Sequence, residues 1–353
     1  MTTVAEVVDA VIGGDTHSDT HALELTSPIG AVIAQIEVAN EAEGYARAIE
    51  WIARHAPGPR VMTGLEGTRS YGIGLSRAFQ AAGLVVIEIE RPDRKKRRGK
   101  GKSDPIDAHH ASQALLAMDV AALPQPRVDG PREALRILLI GRDEQSRTRT
   151  RQGNQLHALL LTGSDADRAL GKGSFSKKRL LEISTRPLPA DANIEEQVRQ
   201  QEATRLANAL LAADQALAAN KTQLLALVKT IHAPLLDLWG VGPVSGAQAL
   251  VTFSHTGRCR NEAAFAMLSG SAPLPASSGR TNRHRLNRGG DRQLNRALHT
   301  IVMSRWRTCP ETATYIARRR AQGLSDREIR RCLKRYVSRQ LFREMNTPAL
   351  DNT

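Results

Sequence analysis

Four acidic residues have the types and spacing to hold a divalent metal: Asp15, Glu66, Asp104 and Asp107. Asp15 closes an apolar run that begins at Ala10, and Glu66 closes another that begins at Arg60. Asp104 and Asp107 open a helical segment three residues apart, which puts them on one helix face. Hard cations such as Mg²⁺ or Mn²⁺ take oxygen ligands, and a pair of them about 4 Å apart stabilises the attacking and leaving oxygens of a phosphodiester transfer. Each acid also has a plainer reading. Gly13-Gly14-Asp15 is turn chemistry, Glu66 suits an exposed strand end, and Asp104-Pro105-Ile106-Asp107 makes a sound helix start with Asp at the N-cap and Pro at N1. Taken together, at strand and helix ends, the four are expected to form a catalytic metal site.

A second constellation lies far along the chain. A loop rich in Pro and Gly carries Ser277-Ser278-Gly279, and Arg280, Arg283, Arg285, Arg288, Arg292 and Arg296 follow. A serine hydroxyl is a poor nucleophile unless a base, metal or cation activates it, and no adjacent His–Asp pair does so here. By residue type alone this is an ordinary loop beside a phosphate-binding run of arginines. Residues 91–102 hold eight basic side chains in twelve, including Arg94, Lys95, Lys96, Arg97 and Arg98. Next to Asp104 such a segment would grip a nucleic-acid backbone, or else be a solvated loop. Gly240-Val241-Gly242 exposes backbone N–H groups that suit phosphate, or simply ends a helix.

The charge balance agrees with a polyanionic partner, with 50 Lys and Arg against 36 Asp and Glu. Aromatic residues make up only 3% of the chain, so base stacking is not the expected mode of binding. No run approaches the length of a membrane span, and residues 1–10 lack the basic start of a secretory signal. Three distant cysteines, Cys259, Cys309 and Cys332, form neither a disulfide framework nor a zinc pattern, which fits a reducing cytoplasm.

The elements that must position these groups can be read from periodicity. Residues 10–15, 21–26 and 31–39 read as strands joined by turns; 41–56 as a helix, 60–66 as a strand, 71–82 as a helix, 84–90 as a strand and 104–120 as a helix. A meander followed by βαβ units gives a mixed five-stranded sheet, in the order of an α/β RNase H-like (RuvC-like) domain. Actin-like kinases share this general fold, but their Asp-x-Gly phosphate loop is absent, since Thr16-His17-Ser18 follows Asp15. Residues 194–231 contain no Pro or Gly and repeat Leu210, Leu217, Leu224 and Ile231 at heptad spacing. Asn220 occupies the companion position, as in a coiled coil whose register a buried Asn fixes; a long helix packed on its own domain is the alternative. Ser325 and Glu328 form a capping box for a helix with Ile329, Leu333, Tyr336, Val337 and Leu341 on its apolar face and arginines on the other. The expected divisions are 1–160 with the basic loop 91–102, a helical coiled-coil spacer over 161–233, and a mainly α-helical C-terminal domain over 234–346.

In this order the motifs resemble those of the Piv/MooV-type invertases and DEDD insertion-sequence transposases, insertion sequence family 110. The resemblance rests on Gly14-Asp15-Thr16, Glu66-Gly67-Thr68-Arg69-Ser70-Tyr71, Asp104-Pro105-Ile106-Asp107-Ala108, Gly240-Val241-Gly242-Pro243, and Pro273 with Ser278-Gly279. Gly289-Gly290 and Leu294-Asn295-Arg296 follow, while Gly67 and Arg69 stand where the family more often has Ala and Gly. The resemblance implies a transposase in which Asp15, Glu66, Asp104 and Asp107 bind Mg²⁺ (or Mn²⁺) and a distant serine attacks DNA to form a phosphoserine. Ser278 is the favoured nucleophile because it precedes the glycine, with Ser277 as the fallback. It further implies donor and target DNA, a structured non-coding guide RNA, a composite site in a homo-oligomer (dimer or tetramer), no membrane partner, and a cytoplasmic, nucleoid-associated protein. The competing readings are a RuvC-like junction nuclease with a structural serine, and a non-catalytic nucleic-acid-binding protein.

Overall fold

The computed structural model describes residues 2–89, 104–127, 129–188, 190, 192–276, 284–285 and 287–347, without the side chains of 104, 105 and 122. The chain divides into two compact units, 1–127 and 128–353.

The first unit is a mixed five-stranded sheet in the order β3-β2-β1-β4-β5. β1 (Ala10–Thr16) pairs antiparallel with β2 (Thr20–Thr26), and β2 antiparallel with β3 (Val32–Ala39). β4 (Val61–Glu66) and β5 (Val85–Ile89) then add in parallel, as helical crossovers require. One face packs Ile12, Leu23, Leu65 and Val86 against α1 (Ala42–His55) and α2 (Ile73–Ala81), through Trp51, Ile52, Leu75 and Phe79. The other face packs Val11, Ile87 and Ile89 against α3 (Asp104–Leu116), through Ala111, Leu115 and Leu116. Alternation along the strands therefore directs successive side chains to opposite faces of the sheet, while β3 leaves Val32, Ile33, Gln35 and Glu37 exposed.

The second unit is mostly helical. Sequence periodicity places a division at 160, yet α4 (Pro131–Leu161) lies within this unit. Its Leu135 joins a core with Leu224 and Val228, and its Leu156 and Leu160 join one with Leu206 and Leu210. The buried Arg132 guanidinium donates to the Val251 carbonyl through Nη2 at 2.9 Å and Nε at 3.2 Å. These leucines of 206–224 lie on α7 (Ile194–His232), the helix of the heptad repeat. Its buried Asn220 donates from Nδ2 to the Leu138 carbonyl at 3.0 Å and accepts from Arg142 Nη1 at 3.3 Å. The seam is thus satisfied by α4 of the same chain, with α5 (Asp165–Gly171) and α6 (Lys177–Thr185) between the two long helices in sequence. Beyond them come α8 (Pro243–Phe253), α9 (Glu262–Leu268), the short strands β6 (Leu274–Pro275) and β7 (His284–Arg285), α10 (Arg292–Thr308), α11 (Pro310–Ala321) and α12 (Asp326–Asn346). The Ser325–Glu328 capping box opens α12, whose Ile329, Leu333, Val337 and Leu341 are buried. Tyr336, expected on that apolar face, is instead 49% exposed.

Candidate active site

Gly13 and Gly64 set the site by letting a helix lie on the sheet. A Cβ on Gly13 would meet the Ala108 carbonyl oxygen at 2.1 Å and the Ser112 nitrogen at 2.5 Å, and a Cβ on Gly64 would meet Leu115 Cβ at 3.3 Å. Both glycines therefore face α3, and they are paired across the parallel β1–β4 ladder. Two residues further along each strand, on the same face, stand Asp15 and Glu66. Both acids are buried, and Asp107, one residue before the contact at Ala108, is buried as well. Asp15 lies inside β1, which continues to Thr16, so it is not capping a turn. His17 Nε2 is 3.0 Å from Asp15 Oδ2, and the Thr16 hydroxyl donates to the Glu66 carbonyl at 2.9 Å. The second contact ties the ends of β1 and β4 together. Gly67 turns the chain there at φ +65°, the left-handed region that glycine adopts without strain. Arg69 donates to the Arg127 carbonyl at 3.1 Å.

A further buried carboxylate, Glu24, pairs across from Gly13 on β2. Its Oε1 accepts from His109 Nδ1 at 2.7 Å and Thr26 Oγ1 at 2.9 Å, and its Oε2 accepts from Gln35 Nε2 at 2.8 Å. Burial alone would raise its pKa, but the donors Gln35, His109 and Thr26 outweigh that and hold it below the usual glutamate range. Sequence reasoning missed this residue. The signal was an acid opposite Gly13 in a strand whose neighbours are apolar.

In the second unit the base of the serine loop is held by backbone contacts. Gly270, at φ +65°, packs so closely on Gly290 that a Cβ at Gly290 would meet the Gly270 nitrogen at 2.2 Å. Asn295 Nδ2 donates to the Ser269 carbonyl at 2.8 Å, and Asp291 caps α10 by accepting from the Gln293 and Leu294 N–H groups. β6 and β7 then pair antiparallel, Leu274 with Arg285 and Pro275 with His284. Arg285, Arg288 and Arg292 are exposed. Ser277, Ser278, Arg280 and Arg283 lie outside the described residues, as do Arg94, Lys95, Lys96, Arg97 and Arg98. Gly240 adopts φ +78°, and Gly242 is the N-cap of α8. The Val241 N–H donates to the Leu238 carbonyl at 2.9 Å and the Gly242 N–H to Ser245 Oγ at 3.0 Å, so both amides are already bonded within the turn.

Comparison with known families bears on both regions. A DEDD transposase model of insertion sequence IS110 matches residues 12–163, and a model described as transposase IS116/IS110/IS902 family matches residues 232–317. The chain belongs to the IS110 family of transposases. It is therefore a DNA transposase, a recombining enzyme whose substrates are DNA. No curated protein matches the chain. In this transposase the first match runs through α4 to residue 163, past the end of the first compact unit. Among the described residues, no helix of the transposase is long and apolar enough to cross a membrane.

The match to a DEDD domain points to dependence on a divalent metal. Among the described residues, no three or more His, Cys, Asp or Glu side chains are gathered closely enough to hold an ion; the Asp104 side chain is outside that set. The donor chemistry nonetheless fits, because Asp15 and Glu66 offer hard carboxylate oxygens at the C-terminal ends of the neighbouring strands β1 and β4, and Asp107 offers another in the first turn of α3. The Thr68 hydroxyl, two residues after Glu66, is buried without a partner among the described residues, which is a further polar group for a bound ligand to satisfy.

Proposed function

We propose that this transposase breaks and rejoins DNA through a serine nucleophile, Ser278, with Ser277 as the alternative, and with Asp15, Glu66, Asp104 and Asp107 as metal-binding catalytic acids. The first unit would then be an RNase H-like carboxylate domain, and the second would supply the serine. The observation that carries this reading is the shared face of Gly13, Asp15, Gly64 and Glu66, with Asp107 on the helix the two glycines admit. Burying several carboxylates together is costly unless a cation offsets their charge. A divalent metal, Mg²⁺ or Mn²⁺, would supply charge neutralisation at the phosphate and at the oxygens exchanging on phosphorus.

The serine Oγ gives up its proton and forms a bond to phosphorus. The bond from phosphorus to the deoxyribose oxygen breaks, and that oxygen leaves as a hydroxyl after taking a proton. A hydroxyl of the partner strand then attacks the phosphoserine, restoring the phosphodiester and the serine. The exposed Arg285, Arg288 and Arg292 follow the serine loop and suit contacts to the DNA backbone. Recognition of donor and target DNA is assigned to a structured non-coding RNA, with the protein acting as a homo-oligomer.

The test is to trap a covalent protein–DNA adduct from the full chain and to map its linkage. The adduct is expected in the parent protein and absent in Ser278→Ala. Loss only in Ser277→Ala would move the nucleophile by one residue. Hydrolytic nicking that persists undiminished in both variants would instead support a metal-dependent junction nuclease with a structural serine.

A further inference from the structure

A cavity of about 780 Å³ opens in the second unit between α11, α12 and the β6–β7 strand pair. That size lies within the range of pockets that enclose a small organic ligand, with room for an extended nucleotide segment but not for a duplex. Arg318, Arg319, Arg331, Lys334, Arg335 and Arg339 line it, and Glu328 is the single acid among its described lining. Arg335 and Arg339 are paired to Glu262 at 2.9 and 2.7 Å, while Arg318, Arg319, Arg331 and Lys334 make no ion pair among the described residues. Arg319 Nε and Arg335 Nη1 are buried donors with no hydrogen-bond partner among the described residues. Several cations held this close together repel one another, and unbonded buried donors cost stability, so the pocket is built for an anion.

The same wall carries the two aromatic rings that the sparse composition does not lead one to expect. Tyr315 and Tyr336 meet edge to face, with centroids 5.6 Å apart. Arg318 and Arg319 lie over the Tyr315 ring at 5.4 and 5.9 Å. Tyr336 is half exposed although it stands beside the apolar seam of α12, so its ring is open to a planar partner. Tyr315 is a neutral phenol at neutral pH, as any tyrosine is, and burial pushes it further up, to about 12. Cationic groups for the backbone and a free ring for a base are the requirements of single-stranded nucleic-acid binding. The position selects the strand. Arg331 Nη1 donates to the His284 carbonyl at 3.2 Å, joining α12 to the strand pair that bounds the serine loop.

We propose that this pocket holds a short unpaired segment of the DNA strand that adjoins the attacked phosphodiester, with Arg318 and Arg331 on its phosphates and Tyr336 stacked on a base. The choice of DNA rests on the serine reading above, whereas binding of a single strand rests on the pocket alone.

The experiment is fluorescence anisotropy of a labelled eight-nucleotide (~8-mer) single strand with the full chain, over a range of salt. Duplex DNA and RNA of the same sequence serve as competitors. Arg318→Ala combined with Arg331→Ala is expected to weaken single-strand binding about tenfold and to flatten the log–log salt slope by about 1.4, corresponding to two phosphates. Tyr336→Ala should lose about fivefold or more, and Tyr336→Phe should keep parent affinity because the stacking face remains. Unchanged affinity and slope in the arginine variant would overturn the proposal. So would an equal loss for duplex DNA, or an RNA strand that competes better than DNA. Equal thermal unfolding of Tyr336→Ala and Tyr336→Phe separates loss of stacking from loss of fold. If the serine variants leave the covalent adduct intact while the pocket variants still lose single strands, the serine reading fails and the pocket stands.

Discussion

Asp15 and Glu24 are two buried carboxylates on the same sheet face with different duties. Asp15, facing the α3 end with Glu66, belongs to the proposed chemistry, whereas Glu24 is fully engaged by His109, Thr26 and Gln35. Asp15→Asn keeps the volume and removes the charge. It is expected to slow strand cleavage by about a hundredfold or more while leaving the folded circular-dichroism spectrum intact, as suits loss of electrostatic stabilisation at the reacting phosphate. For Glu24 the folded pKa is depressed. The stability it contributes is therefore complete above the ordinary glutamate range and is lost as pH falls through the lowered folded value. Glu24→Gln should cost about 1–3 kcal/mol at neutral pH. It should also flatten the acid limb of stability measured by urea unfolding across pH. An acid limb identical to the parent's would show that Glu24 is not the group responsible.

At the scale of elements, the contact between β1 and α3 determines where the acids sit. No side chain fits at Gly13, since the atoms a Cβ would strike are the backbone of Ala108 and Ser112, which cannot rotate away. Gly13→Ala is expected to cost about 1–3 kcal/mol or more and to displace Asp107 with its helix, so that cleavage falls along with stability. Gly141 provides the contrast. It lies inside α4, exposed, with nothing near its missing Cβ. Gly141→Ala should stabilise the chain by about 0.8–1 kcal/mol, because alanine has the higher helix propensity. Differential scanning calorimetry of the two variants checks both signs.

Over the whole molecule the dominant feature is charge. Along the sequence the net +14 is concentrated in residues 91–102, in the arginines after the serine loop, and in the arginines of α11 and α12, and Arg285 of the second group lines the α11–α12 pocket. Each phosphate neutralised releases counterions, so affinity for duplex DNA should fall on a log–log plot against salt with a slope of about −0.9 per contact. A filter-binding series from low to moderate salt reads that slope directly. A flat line would remove backbone contact as the source of affinity.

Hydrophobic alternation and turn chemistry by themselves determined the strands of the first unit. The strands at 10–16, 20–26, 32–39, 61–66 and 85–89 follow their apolar patterns, because a strand's period of two assigns faces locally. The alternation also placed Asp15 and Glu66 near the ends of their strands, which the sheet then set side by side, and the capping box opening α12 was equally legible locally. Tertiary packing decided the rest. α4 lies within the first match in sequence but buries its leucines against α7, a choice made by distant contacts such as Asn220 with Leu138, 82 residues apart, that no short window contains. The heptad seam was legible, yet its partner was not, since the same apolar stripe suits a second chain or a helix of its own. Glu24 was missed and Tyr336 misplaced for the same reason. Whether an acid is sheltered by donors from α3, or a tyrosine opens into an arginine-lined pocket, depends on groups brought near only by the fold.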